Sequence, residues 1–210
     1  MKRYIILALC CVVAAWCTAC AQMPASTAAP ASTLEATPEP DFRKISWGAS
    51  RADVIAAEGR EADQSEGDEL VYYGENVLGL YANLVYTFND SGECCAARYI
   101  FAEPHMDADD YLDDYRMIQA SITEKYGDIR MDKETWIDDT LKGYESLGMA
   151  VCLGHLQYQS AWFDDELRLL LTMWGEDFET YIALEYMPRG IATPAPQPSP
   201  TISPRYDPNI

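Results

Sequence analysis

Histidine is scarce in this sequence, which limits the chemistry that the chain can perform. The only two, His105 and His155, belong to no His-x-x-x-His or Cys-x-x-Cys pattern of the kind that holds zinc. Cys152 precedes His155 by three positions, and on a strand that offset would place the thiol and its base on opposite faces. Gly-x-Ser-x-Gly and phosphate-binding glycine loops are also absent. We therefore predict a protein that is not an enzyme, with no catalytic residue, no metal site and no cofactor.

Positive charge is scarce as well. Fifteen lysine and arginine residues stand against 34 aspartate and glutamate residues, which gives a net charge of −19. Such a chain repels the phosphates of nucleic acids, because binding to DNA or RNA depends on basic side chains. We therefore predict no nucleic-acid partner.

The sequence has no apolar run of the roughly 20 residues that a membrane-spanning helix needs. Its most apolar stretch runs uncharged from Tyr4 to Trp16, directly after Lys2 and Arg3. As a helix this stretch would be ~20 Å long, which is short of the ~30 Å hydrocarbon core. A positive start followed by a short apolar run is typical of a signal peptide, which we assign to residues 1–19.

The residues that follow resemble the lipobox of bacterial lipoproteins. Small residues, Thr18 and Ala19, precede Cys20, and the match covers Cys17 to Cys20. The resemblance implies that Cys20 becomes the first mature residue, carries a diacylglycerol thioether, and is acylated (for example with palmitate) on its new amino group. The protein would then be anchored by lipid to the extracytoplasmic face of the cell membrane, or to the outer membrane in a host that has one. The alternatives are an ordinary secretory peptide cut after Ala19 or Ala21, or an uncleaved anchor.

Composition divides the mature chain into three parts. Residues 20–40 are rich in Ala, Pro, Ser and Thr and are predicted to form a flexible tether after the lipidated cysteine. Residues 41–188 have the size and apolar content of one compact domain, and the Pro-rich residues 189–210 are predicted to be a disordered tail. Loss of residues 1–19 removes two basic residues and no acid, so the net charge changes from −19 to −21.

Three cysteines remain in the predicted domain. Cys94 and Cys95 are adjacent and would point to opposite faces of a strand, so they cannot readily bond each other. One of them could pair with Cys152, but an odd thiol would then be left over. The count favours three buried thiols over one disulfide bond.

A helix followed by strands is predicted in the first half of the domain. Ser50 can cap the helix, Asp53 completes a capping box with it, and Gly59 can end it. Three strand-like runs follow, ELVYYG, GLYANLVYTF and CCAARYIFAE.

The second half repeats this order. A helix is predicted over about 107–126, because Tyr111, Tyr115, Ile118 and Ile122 recur at helical spacing. DKETWIDD is a strand start or loop and KGYESLGMAVCLGH a turn, and three strands follow in LQYQSAWFD, RLLLTMWGE and ETYIALEYM. The whole predicts an α+β fold of two helices packed on an antiparallel sheet, with an order that suggests a duplicated α-β-β-β unit.

The sequence ISWGASRADVIAAEG, residues 45–59, resembles the start of a family of small bacterial lipoproteins without assigned function (a WGxSxxDV start). The family also has a helix ending in KYG, here Lys125-Tyr126-Gly127, and the resemblance spans most of 42–187. Over about 45–102 the chain is more distantly similar to SmpA/OmlA (BamE-like) domains, whose helix begins after Gly-x-Ser/Thr and ends at a glycine. The family has no known catalytic residues to transfer.

Acidic residues crowd the segment HMDADDYLDDY. An EF-hand loop beginning at Asp107 would need Gly at its sixth position and Glu at its twelfth, where the chain has Leu112 and Ile118. The simpler interpretation is a solvated helix face whose first acids are favoured by the helix dipole.

Tyrosine is abundant, and aromatic side chains on an exposed sheet face could stack on a glycan or a peptide. Tyr72, Tyr73, Tyr81 and Tyr86 are therefore the candidate ligand surface. Our hypothesis is a lipid-anchored, non-catalytic binding or scaffold module of the bacterial envelope, with an envelope protein or glycan as partner. The alternatives are an envelope glycan-active enzyme using paired carboxylates and a low-affinity divalent-cation-binding protein.

Overall fold

The computed structural model describes residues 41–192, which form one antiparallel sheet of eight strands and three helices. The fold is therefore mixed α+β, as predicted, but it is mostly sheet. The helices are α1 (Arg51–Glu58), α2 (Ala108–Tyr126) and α3 (Leu147–Cys152). The strands are β1 (Gln64–Glu66), β2 (Glu69–Val77), β3 (Leu80–Phe88), β4 (Cys94–Phe101), β5 (Met131–Trp136), β6 (Leu156–Phe163), β7 (Leu167–Glu176) and β8 (Glu179–Pro188).

The strands lie side by side in the order β1-β2-β3-β4-β8-β7-β6-β5. Each half of the chain thus contributes four consecutive antiparallel strands, and the halves meet where β4 pairs with β8. The prediction of one helix and three strands in each half was too simple. It missed the short strand β1, left β5 open between strand and loop, and took α3 for a turn.

The ends of α1 confirm the local sequence signals. Ser50 accepts a hydrogen bond from the backbone of Asp53, whose side chain accepts one from the backbone of Ser50. Gly59 ends the helix with a φ of 75°, which a glycine adopts at no steric cost. The capping box and the terminal glycine were both predicted correctly because they depend only on neighbouring residues.

Helix α2 was also predicted correctly. Asp107 caps its first turn by accepting a hydrogen bond from the backbone of Asp109, and Lys125 lies in its last turn. Both charges are favourable for the helix dipole. The buried side chains of this helix recur every three or four residues and face the sheet, namely Leu112, Tyr115, Ile118 and Ile122.

Helix α3 depends on two glycines that have no room for a side chain. A Cβ at Gly148 would lie 2.2 Å from the carbonyl oxygen of Ala108, at the start of α2. A Cβ at Gly175, on β7, would lie 1.8 Å from the carbonyl oxygen of Val151. These glycines let α3 pack closely against both the start of α2 and strand β7, which a local reading of the sequence could not show.

One face of the sheet carries all three helices. The main hydrophobic core joins side chains from α1, α2 and α3 to those on this face, such as Leu84, Tyr86, Leu171 and Leu184. A second, smaller cluster of Val71, Val85 and Ile100, with Tyr73 packed against it, is formed by strand residues alone. Because neighbouring strand residues point to opposite faces, this second cluster lies on the other face of the sheet.

The domain has two distinct ends. One end of the strands, which we call the distal end, carries the turns 78–79, 102–107 and 177–178 and the segment 137–155. The described chain begins and stops at the other end. There the backbone N–H of Gly48 donates to the carbonyl oxygen of Cys94 (2.9 Å), and the side chain of Asn89 donates to the carbonyl oxygen of Ala192 (3.4 Å).

The predicted signal peptide 1–19, the lipidation site Cys20 and the tether 20–40 lie outside the described residues, as does most of the predicted tail, 193–210. Within residues 41–192, no helix has the length and apolarity required to cross a membrane.

Candidate functional site on the open face of the sheet

The face of the sheet opposite the helices, which we call the open face, is the main candidate site. No described helix contributes to the hydrophobic cluster on this face. Between the cluster and the far strands lie half-exposed side chains of mixed chemistry, namely Tyr73, Tyr81, Arg98, Thr172, Trp174, Tyr181 and Glu185. A broad sheet face of this kind suits a ligand that contacts several strands at once.

The most prominent feature of the open face is a pair of stacked aromatic rings. Trp174 on β7 lies directly opposite Tyr181 on β8, with ring centroids 5.3 Å apart and ring planes inclined by 18°. The hydroxyl of Tyr181 donates a hydrogen bond to Glu179 Oε2 (2.9 Å). Burial, together with this carboxylate, raises the pKa of Tyr181 to about 12, so its hydroxyl stays protonated at neutral pH. The pair forms a flat apolar platform with a hydroxyl fixed at its edge.

A buried amide lies on the same face. Asn83 on β3 has no exposed surface, and neither its amide nitrogen nor its amide oxygen bonds to any other described residue. It stands next to the irregularity in β2 between Tyr72 and Glu75, where Tyr73 and Gly74 interrupt the regular register. An unpaired buried amide costs stability, so an unpartnered Asn83 calls for water or a ligand group.

The amide and the aromatic pair lie near each other on the open face. Asn83 faces Ile100 on β4, and Ile100 faces Ala183 on β8, two positions from Tyr181. Two strand spacings separate β3 from β8, which is about 10 Å. A ligand stacked on the aromatic pair would therefore lie about two strands from the buried amide, which has no exposed surface of its own.

A charged group borders this region. Arg98 on β4 donates to Glu69 Oε1 on β2 at 2.6 Å, and Glu185 on β8 lies opposite Arg98. Burial raises the pKa of both carboxyls, although Arg98 partly opposes the effect. Two carboxylates therefore share one arginine at this edge of the candidate site.

The raised pKa of Glu185 predicts how stability depends on pH. The folded protein binds the Glu185 proton more tightly than the unfolded chain does. Protonation of Glu185 therefore stabilises the fold at low pH, and this stabilisation is lost as the pH rises through the raised pKa. We therefore expect Glu185→Gln to increase the free energy of unfolding at pH 7 and to change it little at about pH 4. Urea unfolding at both pH values would measure the difference. The control is Glu176→Gln, on the exposed end of β7, whose free energy of unfolding should differ from wild type by less than about 0.5 kcal/mol at either pH. Equal effects of the two variants would contradict a raised pKa for Glu185.

The four tyrosines predicted as a ligand surface divide between the two faces. Tyr72 and Tyr86 have no exposed surface, and their rings contact each other within the main core, 6.0 Å between centroids. They are therefore part of the core, which corrects the prediction for this pair. Tyr73 and Tyr81 are half-buried and lie on the open face. The alternation of a strand separates Tyr72 from Tyr73.

Sequence reasoning did not single out Trp174, Tyr181 or Asn83. Alternation along the strand ETYIALEYM places Tyr181 on the face opposite Thr180 and Ile182, which are buried. Asn83 carried a signal in retrospect, since it is a polar residue within the apolar run GLYANLVYTF. The pairing of Trp174 with Tyr181 depends on the register of β7 and β8, which the sequence did not specify.

The titratable groups outside the open face have local roles. Within HMDADDYLDDY, His105 Nε2 lies 2.6 Å from Asp114 Oδ2, and Asp109 Oδ1 accepts a hydrogen bond from the backbone of Gly148 (2.8 Å). His155 Nδ1 lies 3.0 Å from Glu145 Oε1. Among residues 41–192, no three or more histidine, cysteine, aspartate or glutamate side chains are arranged to hold a metal ion.

The three domain cysteines carry free thiols. Cys94 and Cys95 are buried, and Cys152 at the end of α3 is half-buried and donates to the carbonyl oxygen of Phe178 (3.1 Å). Burial raises the pKa of Cys94 to about 12, so its thiol stays protonated and unreactive at neutral pH.

Comparison with known proteins assigns no family. No protein-family model matches the chain, and no curated protein matches it. A solved structure that is similar is that of a DUF4309 family protein (YjgB) from Bacillus subtilis subsp. subtilis str. 168. It shares 11% sequence identity, with 67% of this chain and 79% of that chain covered and a TM-score of 0.36. A similarity of this size establishes neither a common fold nor a function.

Proposed function

We propose that the protein is a lipid-anchored, non-catalytic binding module of the bacterial envelope. Lipid on Cys20 holds it at the extracytoplasmic face of the membrane, and residues 20–40 act as the tether. The observation that carries the binding role is the open face, where a stacked aromatic pair and an unpartnered buried amide lie on a sheet whose other face carries every described helix.

The ligand that fits this chemistry best is a glycan chain. Flat aromatic rings offer apolar contact to the C–H faces of sugar rings, and the Tyr181 hydroxyl at the edge of the pair offers a polar contact to their hydroxyl groups. A peptide strand would more naturally add to a sheet edge, where backbone groups are unpaired. The open face instead presents side chains, which supports a glycan over a peptide.

Several contacts support a binding role over an enzymatic one. Glu179 accepts a hydrogen bond from the Tyr181 hydroxyl, and Glu69 and Glu185 flank Arg98. A glycosidase needs two carboxyl groups facing each other across the bond that breaks. A binding module therefore accounts for these charges with fewer assumptions.

Titration calorimetry with N-acetylglucosamine oligomers tests the proposal. We expect Trp174→Ala and Tyr181→Ala each to weaken binding by about fivefold or more, since stacking on an aromatic ring is worth about 1–3 kcal/mol for nucleic-acid bases. The matched control is Phe163→Ala, an exposed aromatic residue at the far end of the same face. No binding to any oligomer, or an equal loss for Phe163→Ala, would contradict a glycan site.

Asn83→Leu separates binding from folding. Replacing a buried, unpartnered amide by an apolar side chain of similar size should leave the free energy of unfolding unchanged or raise it by about 1 kcal/mol. If the amide contacts the ligand, this well-folded variant should nevertheless lose binding. Retained affinity would remove Asn83 from the site.

We also propose that the domain arose by duplication of a unit that now contains four antiparallel strands, one more than the predicted α-β-β-β unit. The strand order supports this, because the four strands of one half lie in the reverse order of the four strands of the other. Each half also begins with a helix that ends at a glycine, Gly59 or Gly127. Expression of each half alone would test whether either unit folds without its partner.

A further inference from the structure

Apolar side chains are concentrated at the distal end of the domain, far from the points where the chain enters and leaves. Ten large hydrophobic residues are exposed among residues 41–192. Met117 lies on α2, and Phe163 lies at the end of β6 that is opposite the distal end. The other eight lie at the distal end and define what we call the apolar end, namely Leu78, Met106, Ile137, Leu141, Tyr144, Leu147, Met149 and Phe178.

Two of these residues are held in a backbone conformation that disfavours them. Leu78 and Phe178 lie in the two-residue turns between β2 and β3 and between β7 and β8, with φ of 57° and 65°. Gly, Asn or Asp normally occupy such positions, because a side chain costs backbone energy there. Phe178 is nevertheless 78% exposed, so packing within the domain does not compensate for that cost.

The segments that carry the apolar end are tied to one another. The backbone of Gly148 on α3 donates to Asp109 at the start of α2, and Cys152 donates to the carbonyl oxygen of Phe178 in the β7–β8 turn. Helix α3 therefore joins the segment that carries Met106 to the turn that carries Phe178. These contacts hold the segments that carry Met106, Met149 and Phe178 next to one another, and exposed apolar residues gathered in this way are typical of an interaction site.

Acidic residues surround these apolar side chains. The distal segments 78–79, 102–110, 137–149 and 176–179 contain one lysine, Lys142, whose ammonium group lies over the ring of Trp136, and no arginine. The acidic residues of the same segments are Glu103, Asp107, Asp109, Asp110, Asp138, Asp139, Glu145, Glu176, Asp177 and Glu179. The apolar end is thus strongly negative at neutral pH.

The negative charge of the apolar end determines which class of partner can bind there. A second copy of the chain would bring an equally negative rim against the first, and an anionic lipid surface would repel it in the same way. From this complementarity we propose that the apolar end docks a protein whose contact surface combines apolar side chains with a rim of lysine and arginine. The apolar residues supply the contact area, and the acidic rim steers the basic partner and sets its orientation.

The position of the surface agrees with such a partner. The described residues begin and stop at the other end of the strands, near Gly48 and Ala192. A flexible lipid-anchored tether of residues 20–40 would leave the apolar end free to reach a partner outside the bilayer. This step depends on the proposed anchor, whereas the charge complementarity does not.

A model peptide tests the chemistry directly. The probe is a fluorescent amphipathic helix with leucine and phenylalanine on one face and lysine on the other, added to residues 20–210 carrying Cys20→Ser. We expect binding that weakens at least tenfold in Phe178→Gly and in Leu78→Asn. Both variants relieve the disfavoured backbone at their turns, so their melting temperatures should equal or exceed that of the parent protein.

Controls separate this site from general attraction to an acidic protein. Phe163→Ser, which removes an exposed ring at the opposite end, should leave the affinity unchanged, and a glutamate version of the peptide should not bind. Added salt should weaken binding of the lysine peptide, because attraction between exposed charges is screened over about 10 Å at 0.1 M ionic strength. The proposal would be overturned if both peptides bound equally, or if Phe163→Ser lost as much affinity as Phe178→Gly. It would also be overturned if the protein bound neutral phosphatidylcholine vesicles through Phe178.

Cross-linking in the producing cell identifies the occupant. A photoreactive amino acid at position 178 should cross-link to another protein, within a segment of that protein that contains lysine or arginine. The same amino acid at position 163 is the control. Cross-links to lipid, to a second copy of the chain, or to residues 193–210 would overturn the proposal. The glycan site is tested separately by Trp174→Ala and Tyr181→Ala, so either proposal can fail without the other.

Discussion

Replacing Cys20 with alanine is expected to move the protein from the membrane fraction to the soluble extracytoplasmic fraction. A single acyl chain binds a membrane only reversibly, whereas several chains on one residue hold a protein firmly. Electrostatics cannot substitute for them, because removal of residues 1–19 leaves a net charge of −21. The expected redistribution is therefore nearly complete. Fractionation followed by immunoblotting measures it, and mass spectrometry of the wild-type protein should find lipid on residue 20.

The neighbouring cysteine is the matched control. Cys17 also precedes the proposed tether, but it would be removed with the signal peptide, so Cys17→Ala should remain in the membrane fraction. A Cys20→Ala protein that stays in the membrane pellet would reject the lipid anchor, as would an unmodified thiol at position 20 in the purified wild-type protein.

Loss of Arg43 is expected to cause the largest loss of stability. Its guanidinium lies 3.1 Å from Glu58 Oε2 and 2.7 Å from Glu75 Oε2, and the side chain of Glu58 is only 3% exposed. Without Arg43 a buried carboxylate loses its main partner, which typically costs about 3–5 kcal/mol. Tyr86 still donates to Glu58 and Lys44 lies nearby, so we expect Arg43→Ala to cost about 3 kcal/mol, the lower part of that range. Urea unfolding monitored by tryptophan fluorescence would measure the change.

Lys44 provides the control for Arg43. Its ammonium group lies 3.8 Å from the same Glu58 oxygen, but the side chain is 56% exposed. Exposed ion pairs contribute about 0–1 kcal/mol, so Lys44→Ala should have little effect. Adding Glu58→Gln to Arg43→Ala should recover part of the lost stability, because the unpaired charge is then removed. Equal effects of Arg43→Ala and Lys44→Ala would show that burial does not decide the strength of this contact.

Local sequence signals predicted the parts of the fold that local physics determines. The capping box of Ser50 and Asp53 and the apolar spacing of α2 involve residues within a few positions of one another. Helix α3 was missed because its glycines are typical of a turn. Gly148 is required by the close approach of Ala108, a contact between segments 40 residues apart.

The candidate site shows the same limit. Alternation along a strand correctly separates Tyr72 from Tyr73, but it does not say which of the two faces the helices cover. That assignment depends on where α1 and α2 pack, which is decided by contacts across the whole domain. The unpartnered state of Asn83 likewise depends on its neighbours in three dimensions. Sequence patterns thus identified the aromatic character of the sheet but not the residues that line its open face.

The pairing of β4 with β8 has a consequence for how this chain folds. Phe101 and Ile182 lie side by side in the sheet but are separated by 81 residues of sequence. Pairings of such long range raise the contact order and slow folding. If the chain is exported N-terminus first as an extended polypeptide, the inner edge of the first four strands must wait for the last strand to emerge. Until then that edge is open to incorrect pairing, so a chaperone at the exit of the translocation channel would protect this protein most during the final stage of its export.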